Sequence, residues 1–301
     1  MKGVKYEGIL TALVTPLKED NKTVNESCVK ELIEFQLGQG ANGFYILGGT
    51  GEGPVIAPEE RIRMCETAVK CVAGRKPVIC HIAAMNLNEA IMLAKQAEKS
   101  GADAIAAIPP LFFFYDENDI FNYYKKIAES VSIPLIIYYH PSAQKDMSAK
   151  LIARLFEIDN ITGVKWSSTN YFEMMNLKDL TQGDMNIING PDELLVCGLM
   201  AGADAGIGST DNFMLPEFVS IYNLFKAGKI DEARAVQMKV NRVIQLAFKH
   251  EVIPMVKQAT AFMGFDVGEP TYPMRHMSDA EKEELAAELK ALGWPFTPIN
   301  R

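Results

Sequence analysis

One lysine closes the short apolar run Ile161-Thr162-Gly163-Val164-Lys165, just before Trp166, Ser167 and Ser168. An ammonium group is strongly hydrated, so a lysine in an apolar interior has a partner or a task. Burial disfavours its charged form and moves the pKa from about 10.4 toward neutrality. The neutral amine can then attack a ketone and form a Schiff base. Taken alone, the segment fits equally a lysine that snorkels from a strand end. Other polar clusters along the chain separate the two readings.

The loop Gly48-Gly49-Thr50-Gly51-Glu52-Gly53 also follows an apolar run. Glycines let backbone N–H groups approach an anion closely, and a helix N-terminus beyond adds favourable partial charge. The loop has neither the lysine and spacing of a P-loop nor a GxGxxG pattern, so it suits a carboxylate rather than a nucleotide. A turn kept tight for packing is the plain alternative. The run Ile136-Ile137-Tyr138-Tyr139-His140-Pro141 carries adjacent tyrosines, and strand alternation lets only one of them face a barrel interior. A tyrosine there can exchange protons with a substrate oxygen beside the lysine. Asn189-Gly190-Pro191-Asp192-Glu193 and Gly206-Ile207-Gly208-Ser209-Thr210-Asp211-Asn212 are polar clusters suited to holding a hydroxyl-rich substrate. Asp192 and Glu193 fit a helix cap as well.

Composition narrows the class. A net charge of −8 over 301 residues, with no basic run, argues against a nucleic-acid partner, though not against a small anion in a cleft. Hydrophobic content of 48% with 23% charged residues is that of a soluble globular enzyme. The cysteines Cys28, Cys65, Cys71, Cys80 and Cys197 lack CxxC spacing and read as thiols in a reducing compartment, with Cys80 and Cys197 in the core. The histidines form no HxxH or HxxxH pair, so no metal site is expected. The N-terminal residues lack the apolar core of a signal peptide, and no apolar stretch approaches the roughly 18 residues needed to span a bilayer, so a cytoplasmic protein with no membrane partner is expected.

The elements that must position these residues alternate regularly. Apolar runs at 8–14, 43–47, 77–82, 104–108, 134–139, 161–165, 186–189 and 205–208 read as strands. Between them, segments such as 58–72 and 88–99 carry apolar residues at helical spacing, with Asn88 and Asp116 as N-caps and Pro58 in a first turn. The alternation predicts an α/β fold, a (β/α)8 TIM barrel, with an open doubly wound sheet as the alternative. After Pro216 the strand pattern stops, and 218–227, 230–250, 252–263 and 278–292 read as helices. We therefore expect a barrel over residues 1–225, carrying the active site at the C-terminal ends of its strands, and a helical appendage over 226–301.

Taken together, GGTGEG, the tyrosine of YYHP, GVKWSS, NGPDELL and AGADAGIGST stand in the order seen in pyruvate-dependent class I aldolases. The chain resembles that superfamily, which holds N-acetylneuraminate lyase and dihydrodipicolinate synthase, over nearly its whole length. The resemblance implies that Lys165 is the Schiff-base lysine and Tyr138 the proton-transfer tyrosine. It also implies that Gly49 and Thr50 bind the keto-acid carboxylate. Ser167, Gly190, Asp192, Glu193 and Ser209 place the chain nearer the lyase branch, where such residues contact the sugar-derived chain. The stretch Pro141-Ser142-Ala143-Gln144 lacks the arginine of the synthase branch.

Four positions depart from the pattern. Gly49 stands where a serine or threonine is usual, and Leu111-Phe112-Phe113-Phe114 where many members carry a tyrosine; those hydroxyls commonly relay protons for the strand-five tyrosine. Asp211 replaces a tyrosine, and Trp166 is bulky beside the lysine. The implied reaction is reversible cleavage of N-acetylneuraminate to N-acetylmannosamine and pyruvate, by a homotetramer that uses no metal or organic cofactor. The alternatives are another 2-keto-3-deoxy acid aldolase or dehydratase, or a catalytically weak barrel that binds keto acids.

Overall fold

The computed structural model describes residues 3–143 and 147–296, so Gln144 and residues 297–301 of the expected appendage lie outside the described residues. Its strands are β1 (Gly8–Ala12), β2 (Gly43–Ile46), β3 (Val78–His81), β4 (Ala104–Ala107), β5 (Leu135–Tyr139), β6 (Ile161–Trp166), β7 (Asn186–Asn189) and β8 (Ala205–Gly208). They pair in parallel in chain order, and β8 pairs with β1 to close the barrel. This is a TIM barrel, and the open-sheet alternative falls away. The first apolar run overshoots its strand because Val14 finds a side-chain partner instead: its N–H donates to Asn212 Oδ1 at 3.0 Å.

Between and after the strands lie α1 (Glu26–Gly38), α2 (Pro58–Val72), α3 (Leu87–Ser100), α4 (Glu117–Ala128), α5 (Ala149–Phe156), α6 (Tyr171–Leu180), α7 (Leu195–Met200) and α8 (Asp211–Lys226). Asp116 caps α4 in a reciprocal capping box. Asn88 does not cap α3; Asn86 does, its side chain accepting from Asn88 N at 2.8 Å, which draws the helix start back before Leu87. Cys80 is buried as expected, but Cys197 is exposed, on the outer face of α7.

Alternation divides the core in two. Leu10, Ala12, Tyr45, Ile79, Ala104, Ala106, Ile136, Tyr138, Ile188 and Ile207 fill the barrel interior. Their neighbours, such as Ile9, Phe44, Ile137, Tyr139, Val164 and Trp166, join the larger layer between strands and helices. Only one of the paired tyrosines, Tyr138, therefore faces inward.

Helix α8 bends at Met214, because Pro216 has no N–H to return to the Asn212 carbonyl. The buried Gln36 side chain fills that gap, donating through Nε2 to Asn212 O at 2.8 Å. Beyond α8, the chain forms α9 (Ile230–His250), α10 (Val252–Phe262) and α11 (Asp279–Ala291), with α9 packed along α8 and α10 against both. Among the described residues no helix is long and apolar enough to cross a membrane.

Candidate active site

The inward positions at the C-terminal ends of the strands converge on Lys165. In the β5–β6 register Tyr138 lies opposite Lys165. The Lys165 Nζ sits over the ring of Tyr45 at 4.4 Å and over that of Tyr138 at 4.6 Å from the centroids. Lys165 is only 6% exposed. Burial lowers its pKa to about 8, against the opposing pull of the Asp192 and Asp211 carboxylates. About a tenth of the amine is then neutral at pH 7, roughly 300 times the share of an ordinary lysine. The ring faces stabilise what charge remains, so the site holds the amine poised between its two forms.

Tyr138 is buried, which raises its pKa, while a hydrogen bond with Ser167 pulls the other way. It is thus a protonated phenol at neutral pH, able to donate. Gly190 makes that contact possible, because a Cβ there would collide with the Ser167 hydroxyl. Beneath Tyr138 lies His81, whose ring is 5.8 Å from that of Tyr138 and 6.2 Å from that of Tyr45. His81 meets the Leu47 carbonyl through Nδ1 (3.0 Å) and accepts from Ile108 N through Nε2 (3.3 Å), so its proton is on Nδ1. Burial, with help from Arg61 and Lys165, lowers its pKa to about 3, and the ring is a neutral floor to the site.

The glycine loop after β2 wraps over this floor. Gly48 must be a glycine, since a side chain there would strike the Tyr45 ring. Gly49 is different: a Cβ would meet nothing but the Tyr138 hydroxyl, at 3.9 Å. Gly49→Ser is therefore expected to leave stability within about 0.5 kcal/mol in urea unfolding. It should also keep the exchange of pyruvate methyl protons with solvent within about threefold of the parent rate. A much larger gain would mark this as a barrel whose catalysis has decayed.

Thr50 Oγ1 and Ser209 Oγ are 2.7 Å apart and join the β2 loop to the β8 loop. Glu52 holds the loop from behind in a left-handed conformation, at φ 57°. Its carboxylate pairs with Lys257 of α10 at 2.6 Å and accepts from Thr271 N, while Lys257 also donates to the Glu269 carbonyl at 3.0 Å. Both side chains of the ion pair are buried, at 0% and 2% exposure. For Lys257, burial outweighs the attraction of Glu52 and its pKa is lowered. Truncating one partner strands the other charge, so Lys257→Met is expected to cost about 3–5 kcal/mol in urea unfolding.

Asp192 and Asp211 occupy the outer side of the end of β8. A Cβ on Gly208 would lie 2.7 Å from Asp192 Oδ1 and 3.0 Å from Asp211 Oδ1. Asp192 spends its oxygens on the following turn, accepting from Ser209 N, Thr210 N and Thr210 Oγ1 at 2.7–3.2 Å. Although the residue is half-buried overall, its carboxylate is enclosed, and burial pushes its pKa up to about 6. Asp211 accepts from Gly208 N at 2.9 Å, and burial beside Asp192 raises its pKa well above the usual range. Glu193 is half-buried in the one-turn helix Asp192–Leu194, with its carbonyl held by Asn241. Trp166, the bulky residue beside the lysine, packs on Tyr139 outside the barrel, ring to ring at 4.7 Å. Phe112, Phe113 and Phe114 are exposed.

The arrangement brings Lys165, Tyr138, Ser167, Gly190, Gly49, Thr50 and Ser209 to the C-terminal ends of their strands, with a buried amine, a buried phenol and a glycine loop at one end of the barrel. The model of the dihydrodipicolinate synthetase family matches residues 5–292. The chain belongs to this family. Its relatives include an N-acetylneuraminate lyase of Rhizobium meliloti (strain 1021), 32% identical over 97% of each chain. They also include a 4-hydroxy-tetrahydrodipicolinate synthase of Chlorobaculum parvum, 32% identical over 95% of this chain and 97% of that one. Among solved structures, CdNal from Clostridium difficile in complex with mannosamine superposes with a TM-score of 0.91 at 29% identity, over 96% of this chain and all of that one. As a member of the family the protein is an enzyme, a carbon–carbon lyase of the aldolase type.

Tyr45, His81 and the Glu52–Lys257 pair have no role in the sequence reading, although all bear on the site. Alternation along β2 and β3 could have pointed Tyr45 and His81 inward. The contact between Glu52 and Lys257 spans more than two hundred residues and left no local signal.

Proposed function

We propose that the protein cleaves N-acetylneuraminate reversibly to N-acetylmannosamine and pyruvate through a Schiff base on Lys165. The observation that carries this reading is a buried amine with a lowered pKa set opposite a buried phenol in the β5–β6 register. The neutral amine attacks the C2 ketone of the open-chain acid, and Tyr138 gives its proton to the departing hydroxyl as the carbinolamine becomes an iminium. The iminium withdraws electrons from C3, the C3–C4 bond breaks as the C4 hydroxyl loses its proton to the Tyr138 oxygen, and an aldehyde leaves. Protonation of the remaining enamine and hydrolysis release pyruvate. The N–H groups of Gly49 and Thr50 hold the substrate carboxylate, which brings the ketone carbon to the amine. Ser167, Gly190, Ser209 and Glu193 face the hydroxylated chain, and Asp192 supports them through the turn after β8.

The choice of sialic acid rests on the likeness to N-acetylneuraminate lyases and on the absence of arginine from Pro141-Ser142-Ala143-Gln144. A second reading, cleavage or dehydration of another 2-keto-3-deoxy acid, is favoured by Gly49 and by the commitment of Asp192 to its own turn. A homotetramer suits the run of Phe112, Phe113 and Phe114, exposed at 84%, 64% and 104%, which a second copy would cover.

Incubation with N-acetylneuraminate or with pyruvate, reduction with borohydride and peptide mapping by mass spectrometry test both levels. A pyruvate-sized adduct on Lys165 from each supports the whole reading. An adduct from pyruvate alone retains the imine and removes sialic acid, and no adduct from either removes the imine.

A further inference from the structure

We infer that His140 is the proton-transfer partner of Tyr138, connecting the phenol to solvent through Ser142. The inference rests on the imine chemistry proposed above and extends it. Alternation on β5 turns Ile136 and Tyr138 inward, and the next inward position, just past the strand, is His140. Carrying the β5–β6 register one residue beyond Tyr139 and Trp166 sets His140 beside Ser167, the hydroxyl already bonded to Tyr138. The His140 and Tyr138 rings stand edge to face, 6.2 Å between centroids at 84°. In the inferred transfer one oxygen, of water or substrate, bridges His140 Nε2 and the Tyr138 hydroxyl.

The tautomer is determined by its neighbour. His140 Nδ1 accepts from Ser142 N at 3.2 Å and lies 2.6 Å from Ser142 Oγ. A nitrogen that accepts from a backbone N–H carries no proton of its own, so the proton of the neutral ring is on Nε2. Burial and the nearby Lys165 charge keep the ring neutral by lowering its pKa. Ser142 is exposed, which opens the far end to water.

The transfer balances in both directions. When Tyr138 gives its proton to the hydroxyl leaving the carbinolamine, the phenolate regains one from Nε2, directly or across the bridging oxygen. Nδ1 takes the Ser142 hydroxyl proton in the same movement, and solvent restores that hydroxyl. When Tyr138 receives a proton from the substrate, the transfers run in reverse. The route serves in a chain that has glycine at position 49 and phenylalanines at 112–114, where a hydroxyl relay would otherwise stand.

The test needs only pyruvate. Exchange of its methyl protons with D2O, followed by NMR, reports imine and enamine formation whatever aldehyde the enzyme uses. His140→Ala is expected to slow exchange at least tenfold, to leave half-saturating pyruvate unchanged, and to regain rate with added imidazole. Ser142→Ala, at an exposed position, should slow exchange severalfold, and it tests the route if His140→Ala does not fold. Exchange at the parent rate in both variants, or a loss in His140→Ala that imidazole does not restore, would overturn the inference while leaving the imine intact. If the parent chain itself neither exchanges pyruvate protons nor traps on Lys165, the imine reading falls, and this route with it.

Discussion

Lys165→Met is expected to remove the borohydride-trapped pyruvate adduct entirely, to reduce proton exchange to the rate in buffer and to make the protein more stable. Methionine keeps the length and apolar stem of the side chain but has no amine, so no imine forms. The gain in stability follows from the lowered pKa. The folded protein holds the Lys165 proton with a pKa of about 8, against 10.5 for a lysine in water. At pH 7 both folded and unfolded chains carry the proton, and the folded state holds it less tightly, at a cost of about 3 kcal/mol. That cost is relieved as pH rises from about 8 to 10.5, because the unfolded chain then binds more protons than the folded one. Removing the amine should raise unfolding free energy at pH 7 by about 1–3 kcal/mol, the lower figure allowing for lost attraction to Tyr45, Tyr138, Asp192 and Asp211. Urea unfolding at pH 7 and pH 10 checks this, since the difference from the parent must shrink at the higher pH. In the parent, the rate of adduct formation should rise with pH and level off near 8. A Lys165→Met chain that still traps pyruvate, or is less stable than the parent, would contradict this account of the amine.

Tyr138→Phe is expected to lower pyruvate proton exchange by about 10²–10⁴-fold with little change in the pyruvate concentration needed for half-saturation. The ring stays over Lys165 and between Tyr45 and His81, so the floor of the site persists. Only the oxygen is lost, and with it the donor that assists departure of the carbinolamine hydroxyl. Ser167 loses a hydrogen-bond partner, which costs about 0.5–1.5 kcal/mol. Because the phenol's pKa is raised, the parent tyrosine remains protonated across neutral pH, and the variant should be impaired equally from pH 6 to 8. Exchange kinetics at several pH values check this. A loss confined to half-saturation would make Tyr138 a binding residue instead.

The barrel and the burial of Lys165 at its strand end were legible in the chain because both depend on local pattern. Period-two apolar runs separated by helical periods leave few topologies, and the parallel closed sheet follows from them. Lys165 stood out as a charge at the end of an apolar run, while alternation left Tyr138 and Tyr139 open and only the family resemblance pointed to Tyr138. Capping was less legible at α3, where Asn86 and Asn88 are equally good cap residues and it is the Asn86 side chain that accepts from Asn88 N. Cys197 was misplaced because α7 is a single short helix whose apolar residues do not mark one face clearly.

By itself, then, the sequence determined the order of strands and helices, a lysine at the end of an apolar strand and a glycine loop ahead of a helix. Each follows from residue type and near spacing, which short-range sterics and burial translate directly into structure. Tertiary structure alone decided that Glu52 is held by Lys257, that Trp166 turns away from the site and that Asp192 braces a turn. It alone set Ser167 against Tyr138, and His140 above it. These depend on distances between segments remote in the chain, and such distances exist only once the barrel has closed.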